Sequence, residues 1–337
     1  MLILGIETSC DETAAAVLED GKKILSNIIS SQVDVHKEYG GVVPELASRH
    51  HIQNIQPVVE LALKKAKVQL GDIDAFAVTY GPGLVGSLLV GLSFAKAMAY
   101  ALKQPLIGIN HIEGHIQAVF LENQGIEFPA LALVVSGGHT SLFYMPQWGS
   151  YKIIGRHRDD AAGEAFDKVA KLLQLGYPGG PIIDDISSQG DARAIKFPIA
   201  KISNGSLDFS FSGIKTAVLR YVQQSSQSVE AFAEEKLYNI AASFQLTVIK
   251  TLTKKTKEAM KKFKVKSILL AGGVACNRLL RRELKAMAVR AGKQVYYPSP
   301  ILSTDNAAMI ASLGYFKLQQ GESCGLDLDA EPNLKLS

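Results

Sequence analysis

The stretch DAFAVTYGPGLVGSLLVGLSFAKAMAYALKQPLIGINHIEGH, Asp74 to His115, runs strand, glycine loop, helix, strand and then the start of a second helix. DAFAVTY and PLIGIN are short apolar runs, whereas SLLVGLSFAKAMAYAL is long enough for a helix. The same order returns after Lys266: SILLA as strand, GGVA as glycine loop, NRLLRRELKAMAVRA as helix, VYYPSP as strand and STDNAAMIASLGYFKLQQ as a closing helix. Ahead of each copy lie three more strand-like runs and a helical pattern. The runs are LILGIE, TAAAVLE and KKILSNII in the first half, and ALALVVS, HTSLFYM and SYKIIGR in the second. At 337 residues the chain exceeds one ordinary core. With negligible identity between the halves, the expectation is a duplicated α/β architecture of two lobes. The first spans residues 1–122 and the second 123–337, with a helical insert at about 176–266 and a STDN helix free to pack back on the first lobe.

Composition narrows the class. Hydrophobic residues make up 47% and charged residues 20%, the balance of a folded globular chain and not of a disordered one. The apolar run from Ser87 is broken by Gly91 and Lys96, short of the ~20 uninterrupted residues expected of a membrane span. MLILGIETSCDET has no basic segment ahead of its apolar run, so it does not read as a signal peptide, and a cytosolic protein is expected. Cys10, Cys276 and Cys324 show no CxxC spacing, which argues against a disulfide framework or a thiolate zinc site. Net charge is only +4, yet Lys250 to Ser267 holds eight lysines against the single acid Glu258, and RLLRRELK follows from Arg278. Such a face is either solvated surface or a holder of phosphates.

Loops at the carboxyl ends of parallel strands line the ligand crevice of open α/β sheets. That rule brings together TSCDET, GPGLVG, SGGHT and AGGVACN, and it puts HIEGH and STDN in equivalent slots, Asp305 facing His111 and His115 across a cleft. Residues four apart share a helix face, so both imidazoles reach one ion. Glu113, at i+2, points about 200° round the helix, away from the position a metalloprotease base occupies in HExxH. Two imidazoles and one carboxylate describe a metal with open positions, of zinc or ferrous type. Backbone amides in SGGHT and GYPGG suit a phosphate. Asp167 and Asp184 suit hydroxyl recognition on a ribose, or else lie on a helix surface and at a cap. Asn277 either caps the helix NRLLRREL or reads a purine or ribose edge.

GIETSCDET, GGVVPELASRHH, TYGPGLVGSLLVG, NHIEGH, LVVSGGHT, AGEAFDKVAKLLQLGYPGGP, FSFSGIKTAV, GGVACNRLLR and STDNAAMIA together resemble the TsaD (Gcp/YgjD) family over nearly the whole chain. The resemblance implies an actin-like, Hsp70-like and sugar-kinase-like (ASKHA) fold with an interlobe cleft. It implies transfer of a threonylcarbamoyl group from threonylcarbamoyl-adenylate to N6 of adenosine 37 in tRNAs reading codons that begin with A, with release of AMP. Metal ligands carried over are His111, His115 and Asp305, for one divalent ion, Fe2+ or Zn2+. Substrate-binding positions carried over are Val134, Val135, Ser136, Gly137, Gly138, His139 and Thr140, then Asp167, Gly180, Asp184 and Asn277. Implied partners are tRNA, a TsaB-like paralogue and a TsaE-like ATPase, with no membrane.

An exocyclic adenine amine is a poor nucleophile, so positioning must supply much of the acceleration, and a carboxylate near the metal would take its proton late in attack. Asp11 and Glu12, in the loop after the first strand, are the candidates. A metalloprotease is the first rival reading, weakened by the place of Glu113. An ATP-dependent sugar kinase is the second, weakened by Ile6-Glu7-Thr8-Ser9 where those enzymes carry an Asp-Gly phosphate loop. A non-catalytic scaffold is the third.

Overall fold

In the computed structural model, which describes all residues except 201, 203, 204, 226–228, 230, 231 and 337, β1 (Leu2–Glu7) pairs antiparallel with β2 (Glu12–Glu19), and β2 with β3 (Lys23–Ser31). All but the last of the undescribed residues fall in the insert expected at 176–266. After β3 come α1 (Val33–Lys37) and α2 (Pro44–Ala66), whose Pro44 occupies the first helical turn, where no amide partner is lost, while Pro57 lies inside the helix. β4 (Ala75–Gly81), α3 (Val85–Leu102), β5 (Leu106–Asn110) and α4 (His111–Glu122) follow. Strands β4 and β5 extend the sheet in parallel, giving the order β3-β2-β1-β4-β5.

The second sheet repeats this plan. β6 (Ala130–Val135), β7 (Thr140–Met145) and β8 (Lys152–Arg156) form the antiparallel half. Then come α5 (Ala162–Leu172), α6 (Gly179–Ile186), α7 (Ser212–Gln224) and α8 (Glu234–Phe263). β9 (Ser267–Ala271), α9 (Arg278–Arg290) and β10 (Gln294–Tyr296) complete it, in the order β8-β7-β6-β9-β10. Each strand of one sheet thus has a counterpart in the other, with the same neighbours and the same parallel or antiparallel sense. The central strands β1, β4, β6 and β9 are buried almost throughout, which is why they read as unbroken apolar runs and not as alternating ones.

By length and hydropathy alone α3 would suffice to cross a bilayer, contrary to the sequence expectation. Its Leu88, Leu92, Ala95 and Ala99 are instead buried where the helix packs on β4 and α2.

Residues Met1–Gln124 with Pro298–Leu336 form one compact unit, and Gly125–Tyr297 another. The short α10 (Pro300–Ser303) and the closing helix α11 (Ala307–Gln319) therefore belong with the first sheet, not with the second half in which their sequence lies. α11 lies on β1 so closely that a Cβ at Gly5 would overlap the backbone of Ala307 and Ala311. Eight successive residues, Ala307 to Gly314, are buried, so no exposed stripe in this sequence tells which sheet the helix covers. The second unit has its own core, in which Phe166, Phe209, Phe211 and Phe244 join β6 and β9 to helices α5 to α8.

Candidate metal centre and glycine cradle

Helix α4 starts at His111 because Asn110 caps it, its Oδ1 accepting from the amides of Ile112 at 2.9 Å and Glu113 at 3.2 Å. His111 and His115 then stand one turn apart, ring centroids 4.6 Å from each other. Asp305 precedes α11, whose own cap, Asn306, accepts from Met309 N at 3.1 Å. Asp305 Oδ1 lies 3.1 Å from His115 Nε2 and 3.6 Å from His111 Nε2. The ligand atoms of all three residues fall within 4.8 Å of one another. The arrangement across a cleft, expected from the sequence, is corrected by the fold: all three ligands sit in the first unit, because α11 returns to the first sheet.

The three donors fit a divalent cation. His115 is fully buried, and among the described residues neither of its ring nitrogens has a hydrogen-bond partner, the approach of Asp305 lacking hydrogen-bond geometry. A buried polar atom without a partner is costly, and an ion between the imidazoles and the carboxylate would remove that cost.

Three residues the sequence reading did not single out as site residues brace the cluster or the helix that carries it. Glu7, wholly buried at the end of β1, lies 3.0 Å from His111 Nδ1 through its Oε2. Ser9 Oγ lies 3.1 Å from the same nitrogen. Burial works to raise the Glu7 carboxyl, but the charge and hydrogen bond of His111 hold it below its ordinary value. Burial likewise works to lower His111, but Glu7 and Asp305 hold it at about 9. The third is Lys317 of α11, whose Nζ lies 3.3 Å from Glu113 Oε2. The displaced glutamate of HIEGH therefore ties α4 to α11. A signal for Glu7 was present: a carboxylate closing an otherwise apolar strand has to be paired.

Asp11 is buried in the loop after β1, and Glu12 opens β2, its Oε1 accepting from Ser31 Oγ at 3.1 Å. Burial, then the charges of Asp11 and Asp305, hold the Glu12 carboxyl well above the usual carboxylate range. Both acids thus share the first unit with the metal cluster.

The remaining site residues lie in the second unit. Val134 and Val135 are buried at the end of β6, and the Ser136 amide donates to His139 O at 2.8 Å to close the turn, with His139 N 3.2 Å from Ser136 Oγ. Gly137 and Gly138 at its tip are exposed. A Cβ on either, or on Gly180 or Gly273, would meet nothing within 4 Å, so these backbones face open space. Polar side chains brace the loops around them. Thr140 Oγ1 accepts from Ala162 N at 2.9 Å at the start of α5, and Asp167 Oδ1 from Gly179 N at 2.7 Å at the start of α6. Asn277 caps α9, accepting from Leu280 N at 2.9 Å, while its Nδ2 donates to Gln245 Oε1 at 2.8 Å. Asp184 Oδ2 takes the Arg278 Nε at 2.7 Å. In the fold Asn277 caps α9, Asp167 reaches from α5 to the first amide of α6, and Asp184 pairs with Arg278. The starts of α5, α6 and α9, whose helix dipoles favour anions, sit next to the open glycines, although several of their first amides are already taken by Ser136, Gly137, Thr140, Asp167 and Asn277.

Comparison with known proteins agrees along the chain. The family model described as TsaD, tRNA N6-adenosine threonylcarbamoyltransferase, matches residues 23–312. Over 335 residues the chain is 54% identical to the tRNA N6-adenosine threonylcarbamoyltransferase of Clostridium perfringens (strain 13 / Type A), covering 99% of this chain and 98% of that one. It is 53% identical to the protein of the same name from Clostridium kluyveri (strain NBRC 12016), covering 99% and 97%. Among solved structures, HypF from T. kodakarensis superposes with a TM-score of 0.62 at 14% identity, over 95% of this chain and 48% of that one. Component A of the (R)-2-hydroxyglutaryl-CoA dehydratase of Acidaminococcus fermentans gives 0.54 at 13%, over 95% and 99%. At such identities the two structures speak for the fold alone, the duplicated α/β plan of actin-like, Hsp70-like and sugar-kinase-like proteins. With a family match over most of its length and relatives above half identity from end to end, the chain belongs to the TsaD family of tRNA N6-adenosine threonylcarbamoyltransferases.

Proposed function

We propose that this protein transfers the threonylcarbamoyl group of threonylcarbamoyl-adenylate to N6 of adenosine 37 in tRNAs that read codons beginning with A, releasing AMP. The observation that carries the reading is the convergence of His111, His115 and Asp305 ligand atoms within 4.8 Å in a chain of this family. A divalent ion held there, Fe2+ or Zn2+, would supply Lewis-acid character and a handle for the threonine end of the donor. The open backbones of Gly137, Gly138, Gly180 and Gly273 suit the AMP phosphate, with the starts of α5, α6 and α9 offsetting its charge. Asp167, Asp184 and Asn277 fix those loops and are proposed, with Val134 to Thr140 and Gly180, as the substrate-binding set.

In the transfer, N6 of the adenine forms a bond to the carbamoyl carbon and the carbon–oxygen bond to the phosphate breaks, its electron pair leaving with AMP. One amine proton must go elsewhere. Asp11 and Glu12 are the acceptors proposed for it: the raised Glu12 carboxyl lies nearer the working pH than an ordinary carboxylate, where a general base is most effective. The exposed lysines of α8, Lys254, Lys257, Lys261 and Lys262, suit phosphates of the tRNA. A TsaB-like paralogue and a TsaE-like ATPase are proposed as partners, in the cytoplasm.

A metalloprotease is not favoured, because Glu113 is engaged by Lys317. Nor is a sugar kinase, because Glu7 is engaged by His111. The test is mass spectrometry of tRNA nucleosides after incubating the protein and its partner proteins with ATP, threonine, bicarbonate and unmodified tRNA. Threonylcarbamoyladenosine is expected with the wild type and none above background with Asp305→Ala. Its absence with the wild type, beside a working control enzyme, overturns the proposal.

A further inference from the structure

Both oxygens of the Glu7 carboxylate are engaged. Oε1 accepts from the Ser9 amide at 2.6 Å, and Oε2 accepts from the Thr79 hydroxyl at 2.7 Å while lying 3.0 Å from His111 Nδ1. Ser9 is itself held, its carbonyl accepting from Leu84 N at 2.8 Å, and its hydroxyl lies 3.1 Å from the same imidazole nitrogen. The far nitrogen of His111 is therefore committed, and Nε2 is the one left on the Asp305 side, 3.6 Å from Oδ1. His115 has no such brace: its Nδ1 is buried without a hydrogen-bond partner among the described residues. The two imidazoles of the clip are built differently, and among the described residues only His111 has a carboxylate at its Nδ1.

A carboxylate that holds the outer N–H of a metal-bound histidine fixes its tautomer and ring plane and makes the inner nitrogen a better donor. We propose that Glu7 is a positioning residue of the metal centre, which holds His111 by Nδ1 so that Nε2 is presented to the ion. The inference rests on the metal reading given above. Thr79 and Ser9 in turn hold Glu7, so β4 and the loop after β1 set the angle of the first ligand.

The test is a Co2+ titration of the full chain against a competing chelating indicator, with the visible Co2+ spectrum recorded. Glu7→Gln is expected to weaken binding by roughly 10–100-fold and to shift the spectrum. Unchanged affinity and spectrum, with or without a lower melting temperature, would show Glu7 to be only structural and overturn the proposal. Should the variant fail to fold, ring-nitrogen NMR of the Zn2+-loaded wild type decides. Ligation of His111 through Nε2 with a proton on Nδ1 supports the proposal, and ligation through Nδ1 overturns it. A wild type that takes up no Co2+, or takes it up equally after His115→Ala, removes the metal reading itself and the proposal with it.

Discussion

Asp159 shows how one carboxylate can anchor a motif with no other visible task. It accepts from the hydroxyl of Ser210 at 2.5 Å, the amide of Phe211 at 2.8 Å, and the hydroxyl and amide of Ser212 at 2.8 and 3.3 Å, so that FSFSG opens α7 on a charged cap. Burial works to raise this carboxyl, but the Ser210, Phe211 and Ser212 donors hold it below its ordinary 3.8. A carboxyl lower in the folded chain than in the unfolded one contributes stability that is complete above the unfolded value and disappears as pH falls through the folded one. Asp159→Ala is therefore expected to cost about 1 kcal/mol at neutral pH and to flatten the loss of stability below about pH 4. Urea melts from pH 3 to 7 would check it; parallel curves for wild type and variant would count against this role. At the same scale, His111 and His115 were legible in the sequence because their spacing is a local fact, whereas Asp305 was reached only through the repeated order of the halves and the family's motifs. For Glu7 only the need for a partner was legible, and for Lys317 nothing was, since each acts on a partner distant in sequence through a fold that composition does not specify.

Among elements, the meeting of α4 and α11 matters most for the centre. Gly114, between the two histidines, sits where a Cβ would be 3.0 Å from Ile310 Cδ1 and 3.4 Å from Met309 Cγ. Gln117 Nε2 donates to Ser312 Oγ at 3.0 Å one turn on, and Glu113 pairs with Lys317 at 3.3 Å beyond that. The helix that carries the imidazoles is thus seated on the helix that follows the carboxylate. Gly114→Leu should wedge them apart, costing on the order of 1–3 kcal/mol and weakening Co2+ uptake, although no ligand changes. Thermal melts with a metal titration would report this, and full Co2+ affinity in a destabilised variant would separate packing from ligand placement. The order of strands and helices was readable from glycine loops and apolar runs. The destination of α11 was not, because a helix buried along eight successive residues has no polar face to show which side is out.

On the scale of the chain, the first unit is assembled from both ends of the sequence and the second from one continuous segment, Gly125–Tyr297, with its own five-stranded sheet and core. The segment 125–297 expressed alone is expected to melt cooperatively. A chain ending at Tyr297 should retain that transition but lose protection in β1 and β4, whose faces α11 would have covered. Hydrogen exchange on both fragments distinguishes this from a single cooperative molecule, in which neither fragment would be protected.

The late arrival of Asp305 also orders events in time. At synthesis rates of about 5–20 residues per second, the ~190 residues between His115 and Asp305 take roughly 10–40 s to appear. For that interval the nascent chain carries a two-imidazole clip with no carboxylate to close it. Closure of the clip around an ion is therefore expected only after Asp305 has been made.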